Sequence, residues 1–256
     1  MSLPTVLLFD IGNTRIKWGV LEKNNLVRTG SIAHEKLQET GFSAMTTRLP
    51  RKVNYVLASN VAGQSFATRF SGVIGIHCNL DVHFAHAERE ACGVTNSYRT
   101  PRRIGVDRWV AMIGARGEFR GALCVVDAGT AVTIDALDGS GQHQGGMIVP
   151  GMAMMASSLH ANTGEIPLVR VSRKSSASGM DLFARTTDGA VQMGALCAIT
   201  GAIERAVGTL RRAGLRPKVI LTGGDASRIL TELDDKVVHR PHLVLQGLAR
   251  MVPNAT

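Results

Sequence analysis

Cysteine is scarce in this 256-residue chain and never paired in sequence. Cys78, Cys92, Cys124 and Cys197 are widely spaced and form no CxxC. That argues against a disulfide framework and suits free thiols in a reducing cytosol. His77, Cys78, His83, His86 and Cys92 lie near one another in sequence, but their spacings match no standard zinc pair. Aromatics are only 4% of residues, and the basic stretches Arg48–Lys52, Arg99–Arg103 and Arg211–Arg216 have none between their charges. With no helix-turn-helix signature either, they read as solvated faces, and nucleic acid is not the expected partner.

Acids are the minority charge. Against 29 Lys and Arg stand 20 Asp and Glu, a net charge of +9. The surplus favours some anionic partner without choosing one. Long apolar runs are also few. The start, MSLPTVLLFD, has no basic n-region and meets Asp10 at once, so it does not read as a signal peptide. Gly189–Ile203 is the one membrane suspect. It is too short to span comfortably and is followed by Glu204 and Arg205, so a buried helix is expected and no membrane. What is present is a hydrophobic fraction of 45%, enough for a core in one large or two small domains.

Apolar runs and turn residues lay the elements out. Strands are expected at 5–10, 15–22 and 26–33, then a helix at 34–49, a strand at 53–60 and a helix at 63–70. One or two short strands fall in 73–83, a polar loop in 85–103 and a helix in 104–118. A second set follows: strands at 122–127, 131–138 and 144–149, a helix from Pro150 to His160, a Ser-rich basic loop near 171–178 and a long helix at 187–212. A strand at 218–222 and helices at 226–233 and 242–251 complete it. The second half repeats the first, which suggests duplication into domains 1–117 and 118–256 with a cleft between them.

Each half opens with an apolar strand ending in an acid and a tight turn. In DIGNTRIK, Asp10 to Lys17, Gly12 lets backbone N–H groups approach an anion, Thr14 adds a hydroxyl and Lys17 a charge. Asp10 suits a hydrated Mg²⁺ that bridges phosphates. Such a turn is equally an ordinary hairpin. DAGTAVTID, Asp127 to Asp135, repeats the acid, the glycine and the hydroxyl at Thr130. Two matching turns point to a nucleotide polyphosphate. LTGGDA, Leu221 to Ala226, suits an adenine lying flat on backbone, or simply a helix start capped by Asp225.

DxGxT, a second DxGTA and a late strand-GG-helix resemble the acetate and sugar kinase, heat-shock chaperone ATPase and actin superfamily. NSYRTPRRIGVDRW (Asn96–Trp109), GGMIVPGMAMMASSLHANTGEIP (Gly145–Pro167) and TTDGAVQMG (Thr186–Gly194) narrow the resemblance to the type III pantothenate kinases, which share their family with the Bvg accessory factors. It runs from Asp10 to about Leu248. The departures are mild: Val106 stands where Ala or Thr is frequent, and Gly164 where Ala or Ser is usual.

The resemblance implies an α/β fold of two duplicated ribonuclease-H-like (actin-like ATPase) domains with mixed sheets flanked by helices. It implies ATP-dependent phosphorylation of pantothenate to 4′-phosphopantothenate, the first step of coenzyme A biosynthesis, in the cytoplasm. Asp10, Ile11, Gly12, Asn13, Thr14, Arg15, Ile16 and Lys17 would bind ATP, with Asp10 orienting Mg²⁺ and Thr130 touching phosphate. Asp127 matches the position that binds a monovalent cation, K⁺ or NH₄⁺. Tyr98, Gly105, Val106, Asp107 and Arg108 would line the pantothenate site, with Thr187 a further contact, in a homodimer whose active site lies at the interface. Asp107 matches the general base. By residue chemistry alone, Asp107 and Arg108 are as readily an ion pair at a helix start. A regulatory accessory-factor protein and a chaperone-like or actin-like ATPase are the competing readings; 256 residues leave the ATPase little room for extra subdomains.

Overall fold

The computed structural model describes residues 5–171, 182–233 and 236–253. Contacts divide the chain into two units: the described residues up to Glu118 together with those from His242 onward, and Phe119–Pro241.

The first unit begins with an antiparallel meander of β1 (Thr5–Ile11), β2 (Arg15–Glu22) and β3 (Asn25–Ala33). After α1 (His34–Thr40) and α2 (Ser43–Thr46), β4 (Tyr55–Asn60) pairs parallel with β1. Helix α3 (Gln64–Cys78) leads to β5 (His83–Phe84), and a small hairpin of β6 (Glu90–Ala91) and β7 (Val94–Thr95) precedes α4 (Val106–Glu118). The sheet order is β3-β2-β1-β4-β5.

The second unit repeats this. β8 (Leu123–Ala128), β9 (Ala131–Leu137) and β10 (His143–Pro150) form the meander. α5 (Met152–Asn162) and α6 (Thr187–Arg212) follow, then β11 (Lys218–Thr222), α7 (Ala226–Leu230) and β12 (Val237–His239). The order is β10-β9-β8-β11-β12, the first unit's order element for element. These are duplicated ribonuclease-H-like units, mixed sheets flanked by helices. Helix α8 (Leu243–Met251) closes the chain.

Burial explains the pattern. β1 is buried along nearly its whole length, as a strand covered on both faces must be. In the first unit Leu7, Phe9 and Ile11 of β1 meet Phe70 and Ile74 of α3, with the Phe9 and Phe70 rings edge to face at 4.9 Å. In the second, Cys124 and Val126 of β8 meet Ala195, Ile199 and Ile203 of α6.

Several expectations change. The helix over 34–49 breaks in two at Gly41, whose φ of 67° is left-handed. The strands expected in 73–83 are mostly helix. The β-branched run of Val73, Ile74 and Ile76 carries strand propensity, but Ala67, Phe70, Ile74 and Cys78 are buried at helical spacing, and packing outweighs propensity. The loop over 85–103 contains the β6–β7 hairpin and a 3₁₀ turn at Pro101–Arg103. β12 was not foreseen. The Ser-rich basic stretch expected near 171–178 lies outside the described residues beyond Val171.

Helix α6, expected to be buried, is so on one face only, through Val191, Ala195, Leu196, Ile199, Thr200, Ile203 and Val207. By length and composition it could cross a membrane, yet just 28% of its most apolar window is buried. Its buried face nevertheless belongs to the second unit's core.

Helix α8, expected in a second domain of 118–256, belongs to the first unit. Close helix approach explains it. A Cβ on Gly247 would strike the Val110 carbonyl of α4, and one on Gly114 the Leu243 carbonyl of α8. Gly247→Ala is therefore expected to cost about 1–3 kcal/mol. Gly72→Ala, in α3 where nothing lies within 4 Å, should add roughly 0.5–1 kcal/mol through helix propensity. Denaturant melts of the two variants check the opposite signs.

Candidate active site

Sheet register sets the acid of each turn. Asp10 lies directly across from Lys17 on β2 and Ser59 on β4. Its carboxylate is nearly buried, and Lys17 Nζ stands 3.9 Å from Oδ2. Asp127 holds the same sheet position on β8, across from Thr133 and Thr222. Hydroxyl residues thus flank Asp127, where a lysine faces Asp10.

The turns beyond the acids differ by one residue. In the first, Gly12 N–H donates to the Arg15 carbonyl at 3.1 Å, spanning Asn13 and Thr14. In the second, Gly129 N–H donates to the Ala131 carbonyl at 3.1 Å, spanning Thr130 alone. Thr14 and Thr130 are both exposed, while Ile11 and Ile16 are fully buried beneath the first turn. Ile11 and Ile16 therefore contribute backbone and support, not side chains.

Each turn is fastened by the residue that follows its third strand. His34 N–H donates to the Thr14 carbonyl at 2.9 Å, and Gly151 N–H donates to the Thr130 carbonyl at 3.0 Å. His34 adds a side-chain bond, its Nε2 lying 2.8 Å from the Gly12 carbonyl. The GG turn of LTGGDA is fastened as well. Gly223, at φ 101°, packs on the Ala128 backbone so closely that no Cβ fits, and Asp225 N–H donates to the Ala128 carbonyl at 3.0 Å. Asp225 sits at the N-cap of α7, but its side chain makes no capping bond.

The GVDR segment starts α4. Asp107 Oδ1 accepts the Arg108 N–H at 2.8 Å, which folds the carboxylate back over the helix N-terminus. The fold-back depends on Gly105, because a Cβ there would meet Asp107 Oδ1 at 2.6 Å. Val106 begins the helix, half-buried. Arg108 is 5% exposed and donates from Nη1 to the Tyr98 hydroxyl at 3.1 Å. The structure thus brings Tyr98, Gly105, Val106, Asp107 and Arg108 together. Thr187 belongs to the second unit, exposed on the first turn of α6, where the Thr186 side chain accepts the Gly189 N–H.

Sequence reasoning missed the supports. Asn96 is buried and donates from Nδ2 to the Glu88 and Pro101 carbonyls, while its Oδ1 accepts from Tyr98 N–H. Arg89 donates to the carbonyls of Asn96, Tyr98 and Arg99. These two residues give the 85–103 segment its shape and so place Tyr98. Only the motif position of Asn96 hinted at this.

A scan against family models matches residues 6–209 to the type III pantothenate kinases. A type III pantothenate kinase of Nitrosococcus oceani is 36% identical over 262 residues, 98% of this chain and 95% of that protein. The chain belongs to the type III pantothenate kinase family. It is a kinase that phosphorylates pantothenate with ATP for coenzyme A biosynthesis. Among solved structures, a conserved Campylobacter jejuni protein assigned to the Baf family of transcriptional activators superposes with a TM-score of 0.62 at 20% identity, covering 96% of each chain. A Sinorhizobium meliloti protein assigned as a 2-dehydro-3-deoxygalactonokinase gives 0.57 at 15%, covering 98% of each. At those identities the likeness is one of fold.

One histidine of the first unit is held neutral by its surroundings. His242, just before α8, has Nε2 3.3 Å from Thr29 Oγ1. Burial, then the nearby Lys17 charge, hold its pKa below the usual 6.5. As pH falls below about 6.5 the unfolded chain takes up a proton that the folded kinase resists, so folding stability should fall with pH. Between pH 7.5 and 5.5 the kinase is expected to lose more melting temperature than its His242→Gln variant. Equal losses would show that His242 carries none of the dependence.

Proposed function

We propose that the DIGNTRIK turn, Asp10 to Lys17, binds the ATP phosphates, that Thr130 contacts phosphate as well, and that Asp107 is the general base. The observation that carries the catalytic assignment is the fold-back at Gly105. A residue without a side chain stands two positions before the acid, and the acid is anchored by its own helix start. A carboxylate fixed through Oδ1 needs little reorganisation when a hydroxyl approaches. The primary hydroxyl of pantothenate attacks the γ-phosphorus, its proton passes to Asp107, and the bond to the ADP oxygen breaks. Arg108, buried beside Tyr98, is the natural partner for the substrate carboxylate. Thr187 is a further substrate contact.

The residues fit the cations such a reaction uses. Carboxylate oxygen is the ligand type Mg²⁺ takes, and Asp10 would hold it through water. Asp127, across from the hydroxyl residues Thr133 and Thr222, suits a monovalent cation, K⁺ or NH₄⁺. When bound, both cations neutralise charge on the transferring phosphoryl group. Lys17 adds a fixed charge from the protein.

A homodimer fits the exposed face of α6. Thr187, Ala190, Gly194, Cys197, Ala198 and Gly201 recur at helical spacing on that face and are all exposed. Small residues let two such helices approach closely, and Thr187 heads the row. A cytoplasmic biosynthetic enzyme completes the reading.

Purified protein with Mg²⁺, ATP and K⁺ should convert pantothenate to 4′-phosphopantothenate. Asp107→Asn should keep its melting temperature and ATP binding while kcat falls by about 10²–10⁴. Turnover close to the parent's would remove Asp107 as the base.

A further inference from the structure

The two turns are held by the same backbone bond and differ in one side chain. The residue after the third strand donates its N–H to the threonine carbonyl in both units, His34 to Thr14 and Gly151 to Thr130. In the second unit that residue must be glycine, since a Cβ would strike the carbonyls of Gly129 and Thr130. In the first unit the extra residue Asn13 lengthens the turn, and a full imidazole stands there. Its Nε2 lies 2.8 Å from the Gly12 carbonyl. A carbonyl has no proton to give, so Nε2 carries the hydrogen and donates. The ring is steadied by Phe66, edge to face at 4.7 Å.

We propose that His34 is a positioning residue for nucleotide binding: by drawing the Gly12 carbonyl onto its Nε2–H, it keeps that oxygen from turning toward phosphate. A carbonyl oxygen turned toward a polyphosphate repels it, whereas backbone N–H groups in a tight turn form an anion-binding concavity. A four-residue turn has more ways to misplace its carbonyls than a three-residue one, and His34 removes that freedom where the glycine of the second unit need not. The inference rests on the reading of Asp10–Lys17 as the ATP phosphate turn.

Two substitutions separate the hydrogen bond from the packing. His34→Phe keeps a ring against Phe66 and loses the donor. His34→Gln loses the ring and keeps an N–H at the reach of Nε2. In steady-state assays of the full chain, His34→Phe should raise KM for ATP about three- to tenfold, the worth of one hydrogen bond, with KM for pantothenate within twofold. His34→Gln should restore KM for ATP. Lys17→Ala serves as the control on the turn itself.

If Lys17→Ala raises KM for ATP and His34→Phe does not, the role of His34 is overturned and the phosphate turn stands. If neither moves it, both are overturned. Equal rises in both KM values, or a His34→Gln variant as impaired as His34→Phe, would mark a general structural role and also overturn the proposal. Should His34→Phe fail to fold, His34→Gln is compared with His34→Leu by titration with Mg-ATP. Tighter binding by Gln supports the proposal, and equal binding overturns it.

Discussion

A carbonyl beside an intended anion site has to be turned away and held away. That constraint runs through both units of this kinase. In each, a buried strand ends in an acid, the chain must reverse within a few residues, and the reversal leaves backbone oxygens near the place where we propose that phosphate binds. The meander supplies the remedy, because the residue leaving its third strand arrives beside the turn. Its N–H takes the threonine carbonyl, Thr14 in one unit and Thr130 in the other. The acid, the turn and the fastening residue are thus fixed by sheet register and not by loop composition. An open order of three antiparallel strands followed by two parallel ones, found twice, is what delivers them.

Duplication preserved this frame and let the chemistry diverge. Across from Asp10 stands Lys17, and across from Asp127 stands Thr133. The first pairing places a protein cation next to an acid. The second leaves the acid among hydroxyls, the setting we propose for a monovalent cation. The same comparison explains the glycines. Gly151 and Gly223 are required by carbonyls that a Cβ would strike, and Gly105 by the carboxylate that must fold over it. None of the three is explained by turn propensity alone.

Much of this was legible in the sequence, and what was not has identifiable causes. β2 could be placed to the residue because RIKWGVLE alternates and the turn before it is unambiguous. The run through Val73 and Ile76 misled because β-branched residues carry strand propensity while the buried face of α3 follows a 3.6 period. The membership of α8 was hidden, since its glycine is informative only once Val110 lies against it. The motif around Asp107 was visible as a string of residue types. Its supports were not, because Asn96 and Arg89 act on backbone carbonyls, and backbone partners leave no complementary residue to be noticed.

That difference also bears on the surplus of positive charge. Arg89 spends its guanidinium on three backbone carbonyls, and Lys218 and Arg240 both lie over the Phe119 ring within 6 Å. Arg250 donates to the Gly117 carbonyl. These cations build structure, and a guanidinium or ammonium so engaged offers little to a diffusing polyanion. A net charge of +9 therefore overstates the cationic groups available for direct contact with a ligand. We propose that a few placed cations, Lys17 and Arg108 first among them, carry the recognition that the composition alone would have spread over the whole surface.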